Sequence, residues 1–509
     1  MNNHKLVGLS LFAIFFISQI DLIGQEKLKI ENSILTETNN FYHIDFSTYQ
    51  KPLKSLPIGV FDSGTGGLTV MDALVNYDQY NNESHLQTAD GQLDFKKEDF
   101  IYLADQANMP YGNYHATAKD DLLKEHIIKD FQFLLGQKYY KNQSAKTNSS
   151  DKKQVKAIVI ACNTATAYGY KEASKFLERT KLNIPVIGVI NAAARGTLAN
   201  FKENEAGAIG VFATVGTIAS SGYERTLREQ IEIAGLKGNI QIFSQGGHGI
   251  AEAVDEEPDF IARNADKPRE NYRGPGLMTD NFEIDRTLMD IYNFNFDGNQ
   301  MLCDNKEVDD CSIIQLNSAE NYVRFHLVSL LEKMRKSENP QPLKSLILGC
   351  THYPYLIKEI NIVLNELRNY KGTNGQLVYQ HLIEDDVDIV DPSIFVAKEL
   401  YEALSEKKLF NDMGNMELNS EFYISVPNID NSHVELENGS ERFTYDYKYG
   451  RQVNEIQEYV KVVPFNKENI SAETIARFQS VIPNTYKLIR NFSQSNNKVA
   501  GQDSAQKLE

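Results

Sequence analysis

With 509 residues the chain exceeds the roughly 250–300 at which a single hydrophobic core stops growing, so two or more domains are expected. Its 52 Lys and Arg stand against 69 Asp and Glu, a net charge of −17, which argues against nucleic acid or an anionic membrane surface as partner. An anionic small molecule is not excluded, because helix ends and backbone N–H groups make locally positive pockets, and four cysteines in so long a chain are no disulfide framework.

The N-terminus predicts export. Residues 6–20 are uncharged and mostly apolar, too few for a membrane span, with His4-Lys5 before them and the small Gly24 after. That pattern predicts a signal peptide over 1–24 and a periplasmic protein with no stable membrane span after cleavage; an uncleaved anchor is the alternative. Residues 25–56 are polar with scattered aromatics and read as a linker or an added strand. Ile58-Gly-Val-Phe61 is a short buried strand, and Asp62-Ser63-Gly-Thr-Gly-Gly67 is a turn whose glycines let backbone approach a ligand; a helix from Leu68 to about Tyr77 follows. The lysine of a phosphate-binding loop is absent and the dinucleotide glycine spacing does not match, so nucleotide binding is disfavoured. After a polar insertion over 77–98, residues 99–104 return as a strand leading to Asp105 and a Pro110-Tyr111-Gly112 turn. The stretch 115–135 is helical, with Leu122, Leu123, Ile127 and Phe131 on one face, and 136–153 is a solvated loop.

The next stretch carries the first chemical signal. Ala157-Ile-Val-Ile-Ala-Cys162-Asn163-Thr164 is an apolar β-branched run broken at a cysteine and followed by a helix-compatible segment. A thiol at the carboxyl end of a parallel strand lies near the crevice where such sheets bind ligands, and an adjoining helix N-terminus favours its thiolate. Alone, Cys162 is as consistent with a small core residue. Leu343-Lys-Ser-Leu-Ile-Leu-Gly-Cys350-Thr351-His352 repeats the pattern, and two such cysteines suggest half-sites facing one cleft. Two opposed acid/base groups suit inversion at carbon, one removing a proton and the other supplying one from the opposite face.

Between the two motifs lie predicted strands at 184–190, 208–213 and 239–243, with a helix over 221–234. His248, after the last of these strands, reads as a loop or structural residue rather than a catalytic one. Residues 255–318 are acidic and aperiodic, a surface insertion with the character of a lid or an interface. Cys303 and Cys311 within it suit a structural disulfide in an oxidising compartment; metal binding is the weaker reading, since no nearby residue completes a ligand set. A helix over 319–336 precedes the second motif, and a strand end at 387–391, a closing helix to Leu404 and a short strand at 422–426 follow it. Beyond 428 the chain continues with an amphipathic stretch over 472–489 and a polar tail, expected to be disordered, after Ser493.

Five blocks in order resemble glutamate racemase of the aspartate/glutamate racemase superfamily, over roughly residues 57–404. They are Asp62-Ser63-Gly-Thr-Gly-Gly, Tyr102-Leu-Ala-Asp105 through Pro110-Tyr111-Gly112, Cys162-Asn163-Thr164, Ile209-Gly-Val-Phe-Ala-Thr214 through Tyr223, and Leu348-Gly-Cys350-Thr351-His352-Tyr-Pro. The resemblance implies an α/β fold: two pseudo-symmetric domains with mainly parallel sheets flanked by helices, and an active site between them. Residues 57–183 plus 373–427 would form the first domain and 184–372 the second, with 428–509 an extension. It further implies cofactor-independent, metal-free racemisation of L- and D-glutamate by two thiols, Cys162 serving D-glutamate and Cys350 serving L-glutamate. Asp62 would assist Cys162, and His352 would assist Cys350. Ser63, Asn163, Thr164 and Thr351 would bind the substrate's amino and carboxylate groups, with Tyr111 and Gly112 as backbone donors, while Asp105 is as consistent with a structural role. A common branch of the family carries a glutamate, partner to the histidine, where this chain has Asn191, and the family's segment at 244–249 is altered here. The family's usual task is D-glutamate supply for the cell wall. Export leaves open scavenging or making D-amino acids outside the cytoplasm, an amino-acid-binding protein without turnover, or a racemase of another amino acid such as aspartate. A homodimer is left open.

Overall fold

The computed structural model describes residues 28–277, 282–305, 310–438, 441–499 and 504–508. The expected signal peptide lies outside the described residues.

The continuous apolar runs become strands buried on both faces, as parallel strands covered by helices must be. Among the described residues twelve strands form: β1 (Ile58–Asp62), β2 (Phe100–Ala104), β3 (Ala157–Ile160), β4 (Val186–Gly188), β5 (Gly207–Ala213), β6 (Ile240–Gly246), β7 (Met301–Cys303), β8 (Ile314–Leu316), β9 (Leu343–Gly349), β10 (Ile383–Val390), β11 (Glu421–Pro427) and β12 (Val460–Pro464). The first sheet has the order β12-β11-β2-β1-β3-β4 and is parallel except for the antiparallel edge strand β12. A second, wholly parallel sheet has the order β10-β9-β5-β6, and β7 and β8 make an antiparallel ribbon. The fold is therefore α/β with two parallel-rich sheets and helices packed on them.

The register fixes where the chemistry lies. Phe61 on central β1 sits opposite Leu103 of β2 and Ile160 of β3, so Asp62 and Cys162 emerge side by side at the carboxyl edge. In the second sheet Gly349 sits opposite Ala213, so Cys350 leaves the carboxyl end of β9 between β5 and β10. Both thiols thus occupy the edge at which open parallel sheets bind ligands.

The sheets place the domain crossings elsewhere than at 183/184 and 372/373. Strand β4 pairs with β3 in the first sheet, and β10 pairs with β9 in the second, so the chain returns to the first domain only after Val390. The physical reason is pairing: Val186-Ile-Gly188 matches Ile158-Val-Ile160 at the sheet edge, and helix Pro392–Glu406 then packs on helices Leu68–Val75 and Val189–Leu198. Three other expectations change. The segment before β1 carries a helix, Lys29–Leu35, whose Ile30 and Ile34 are buried. The helix expected over 115–135 is two, Gly112–Ala116 and Asp120–Leu135, broken at Ala118, where φ is +55°. The tail after Ser493 was expected to be disordered; among its described residues Val499 and Leu508 are buried, since their apolar side chains find the core through helix Pro483–Ser495. Among the described residues no helix is long and apolar enough to cross a membrane.

Candidate active site

The loop after β1 is shaped by the Asp62 carboxylate. Its Oδ2 accepts from the backbone N–H of Gly64 at 3.2 Å and of Gly67 at 2.9 Å, and the Tyr102 hydroxyl donates to the Gly64 carbonyl at 2.8 Å. A methyl group at Gly67 would lie 2.5 Å from Asp62 Cβ and 2.9 Å from Ala161 Cβ, so glycine is required there by close approach. One at Gly66 would lie 3.6 Å from Asp62 Oδ2 and 3.9 Å from Thr351 Oγ1, so this loop runs between the two half-sites.

Cys162 is extended (φ −87°, ψ 123°) and caps helix Asn163–Thr180, its sulfur accepting from the Ala165 N–H at 3.4 Å. Its thiol also faces Ser63 Oγ at 3.6 Å. The helix end was expected to favour the thiolate. Burial and the Asp62 carboxylate outweigh it, and the thiol is pushed up to about 12. Asp62 is itself raised by burial, against hydrogen bonds from Gly67, Cys162, Gly64 and Ser63 that favour its charge. Both acidic groups of this half-site are thus held above their ordinary values by burial.

The second half-site is built differently. After Cys350 the backbone makes a 3₁₀ turn, Tyr353–Leu356, before helix Ile357–Asn369 starts, so this sulfur is no helix cap. Instead it faces His352 Nδ1 at 3.6 Å, and Thr351 Oγ1 lies 3.4 Å from the same nitrogen. His352 Nε2 is 3.2 Å from Asp255 Oδ2, which also accepts from Arg477 Nη1 at 2.6 Å. Burial pulls the imidazole down, but Asp255 and Cys350 more than reverse this and raise it to about 10. Asp255 is raised by burial and brought below its usual range by His352 and Arg477.

Asn163 joins the halves. Its Nδ2 donates to the carbonyl of Gly349, the residue before Cys350, at 3.2 Å, and its Oδ1 accepts from the Tyr223 hydroxyl at 2.9 Å. A cavity of about 310 Å³ is lined by Asn163, Cys350, Thr351 and Asp391, and one of about 560 Å³ by Gly66, Thr351, His352, Asp255 and Arg477. Both sulfurs are buried and free, while Cys303 and Cys311 are joined as a disulfide at the β7–β8 ribbon.

Thr164 lies in the first turn of the helix that Cys162 caps. The Tyr111 hydroxyl is buried between Asp105 at 2.6 Å and Asp130 at 2.8 Å; neither Tyr111 nor Gly112 is among the described residues lining those two cavities. Asp105 also accepts from Ser425 and Asn108, a packing role. His248 is bonded to the Arg273 carbonyl and stacked on Phe282. Asn191 lies buried in helix Val189–Leu198, its Oδ1 beside Gly188. Sequence reasoning missed Asp255 and Arg477, and it quoted Tyr223, the last residue of the Ile209–Tyr223 block, without assigning it a role; nothing local marked the other two.

The chain is similar to known proteins. No family model matches it. A protein named glutamate racemase from Aquifex pyrophilus is 26% identical over 332 residues, 65% of this chain and 85% of its own length. One from Latilactobacillus sakei is 29% identical over 357 residues, 70% of this chain and 81% of its own. One from Oceanobacillus iheyensis is 35% identical over a shorter 182 residues, 35% of this chain and half of its own. Among solved structures, glutamate racemase isoform RacE1 from Bacillus anthracis aligns at TM-score 0.39 and 23% identity, covering 72% of this chain and 88% of its own. By sequence the chain is thus similar to proteins named glutamate racemase over 65% to 70% of its own length and 81% to 85% of theirs.

Proposed function

We propose that the protein interconverts L- and D-glutamate by a two-thiol proton transfer at the α-carbon, without a cofactor. The observation that carries this reading is the pairing of two free, buried cysteines at the carboxyl ends of parallel strands in separate sheets, joined through the Asn163–Gly349 hydrogen bond. An α-proton is a poor acid, so each sulfur needs a neighbour that holds or returns its proton. Asp62 serves Cys162, and His352 serves Cys350. With the proton of the first half-site resting on Cys162 and an imidazolium beside Cys350, L-glutamate gives its α-proton to Cys350 and takes one on the opposite face from Cys162. The reverse direction exchanges the roles. Ser63, Asn163, Thr164 and Thr351 bind the amino and carboxylate groups. Export is part of the reading, supported by the apolar stretch at 6–20 and the Cys303–Cys311 disulfide.

The test uses reduced protein lacking residues 1–24, incubated with each glutamate enantiomer in D₂O while chirality and α-deuterium are followed. Inversion with deuterium incorporation, abolished by Cys162→Ser and by Cys350→Ser, is expected. Exchange with aspartate alone would move the substrate assignment. No exchange with either amino acid would leave a binding protein on a racemase fold.

A further inference from the structure

Two segments outside the five sequence blocks meet at His352. Asp255 follows helix Ile250–Val254 where the long insertion begins, and Arg477 lies on helix Ala472–Val481 of the C-terminal extension. The contacts run in one chain: Arg477 Nη1 to Asp255 Oδ2 at 2.6 Å, the same oxygen to His352 Nε2 at 3.2 Å, and His352 Nδ1 to Cys350 Sγ at 3.6 Å. We propose that Asp255 is the positioning residue of His352 and that Arg477 locks that carboxylate in place, so the appended helix is wired to the second thiol. This rests on reading Cys350 and His352 as the proton-carrying pair.

The chemistry follows from the tautomer. An imidazole whose Nε2–H donates to a carboxylate presents its Nδ1 lone pair, here toward sulfur. After proton transfer the carboxylate stabilises the imidazolium, and with it the thiolate. The charged and titratable groups facing His352 are Cys350 on its own strand end, Asp255 and Glu257 from the insertion and, through Asp255, Arg477 from the extension. Tyr355 lines the same cavity as Asp255 and Arg477. His352, Asp255 and Arg477 line the 560 Å³ cavity together, so the extension forms a wall of the site and not a remote appendage.

The experiment reads the pair without turnover. Iodoacetamide labelling of Cys350 is followed from about pH 5 to about pH 9 in full-length mature protein carrying Cys162→Ser, the label being located by peptide mass. Asp255→Asn is expected to move the midpoint up by about one unit, slowing labelling about tenfold near neutral pH, with Asp255→Glu restoring most of it. Arg477→Gln is expected to shift the midpoint when Asp255 is present and to leave it unmoved in the Asp255→Asn background, the non-additivity of residues acting through one another. Superimposed profiles for Asp255→Asn and its parent would overturn the proposal. Equal Arg477→Gln shifts in both backgrounds would remove the lock. Arg477 is part-exposed on its helix, so its variants keep the test open should an Asp255 variant fold poorly. Racemisation by the protein with both thiols is measured separately: its absence would sink the proposed function while leaving the labelling result intact.

Discussion

Replacing Asp62 by asparagine should make Cys162 more reactive and the enzyme slower. Burial is the larger cause of the elevated Cys162 thiol, and the Asp62 charge is the next. At about 12 the thiolate fraction near pH 8 is roughly 10⁻⁴. A like charge at this range raises a pKa by roughly 1–3 units, so removing it should raise that fraction about ten- to hundredfold while burial keeps the thiol above its ordinary value. The assay is the rate of modification of Cys162 by methyl methanethiosulfonate, measured by mass spectrometry in a Cys350→Ser background and compared with Asp62→Asn in the same background. In the protein with both thiols, the same substitution should lower racemisation at least about a hundredfold, since in the proposed reaction Asp62 accepts and returns the Cys162 proton. Modification that is unchanged or slower in the asparagine variant would show that Asp62 does not act electrostatically on this sulfur, and would refute its assignment.

Three further outcomes follow from the geometry. Asn163→Ala removes two hydrogen bonds spanning the halves, each worth about 1 kcal/mol, and strands the Tyr223 hydroxyl; kcat should fall about ten- to hundredfold with a smaller loss for Tyr223→Phe, measured by polarimetry. Gly67→Ala drives a methyl group into Asp62 Cβ and Ala161 Cβ, so it should destabilise by roughly 1–3 kcal/mol in urea unfolding and abolish racemisation. The His352 pKa is raised above its unfolded value, so its contribution to stability is complete below about 6.5 and is lost as pH rises through about 10. The unfolding midpoint of Asp255→Asn should therefore lie furthest below that of the parent near pH 6 and approach it toward pH 10.

The parts of the fold legible in the sequence are those where one physical demand dominates. Strands β1 and β3 and the Leu346-Ile-Leu348 end of β9 are buried and read as apolar runs, and each leads to Asp62, Cys162 or Cys350. Strand β12 was missed because Lys461 interrupts the run. That lysine is buried, yet it is held by the carbonyls of Gln143 and Ala145 and by Asp430, partners remote in sequence. The domain crossings were misplaced for a related reason: pairing of β4 with β3 and of β10 with β9 is a long-range choice that local periodicity does not encode.

The site shows the same division, and it explains why the two half-sites look unequal. Everything around Cys162 comes from residues near it in the sheet: the Asp62 loop, the Ser63 hydroxyl and the helix that the cysteine caps. All of it was visible as motif. Around Cys350 only His352 is local; Asp255 comes from an acidic run in which Glu252, Glu256 and Glu257 look equivalent, and Arg477 comes from a helix 125 residues beyond His352 in the chain. A carboxylate selected by an arginine across that separation leaves no local signature. One sulfur thus sits beside a buried carboxylate. The other faces an imidazole that reaches Asp255 and, through it, Arg477. In the proposed reaction the two thiols alternate between acid and base, so one must start protonated and the other not, and the unlike surroundings of the two sulfurs suit that start.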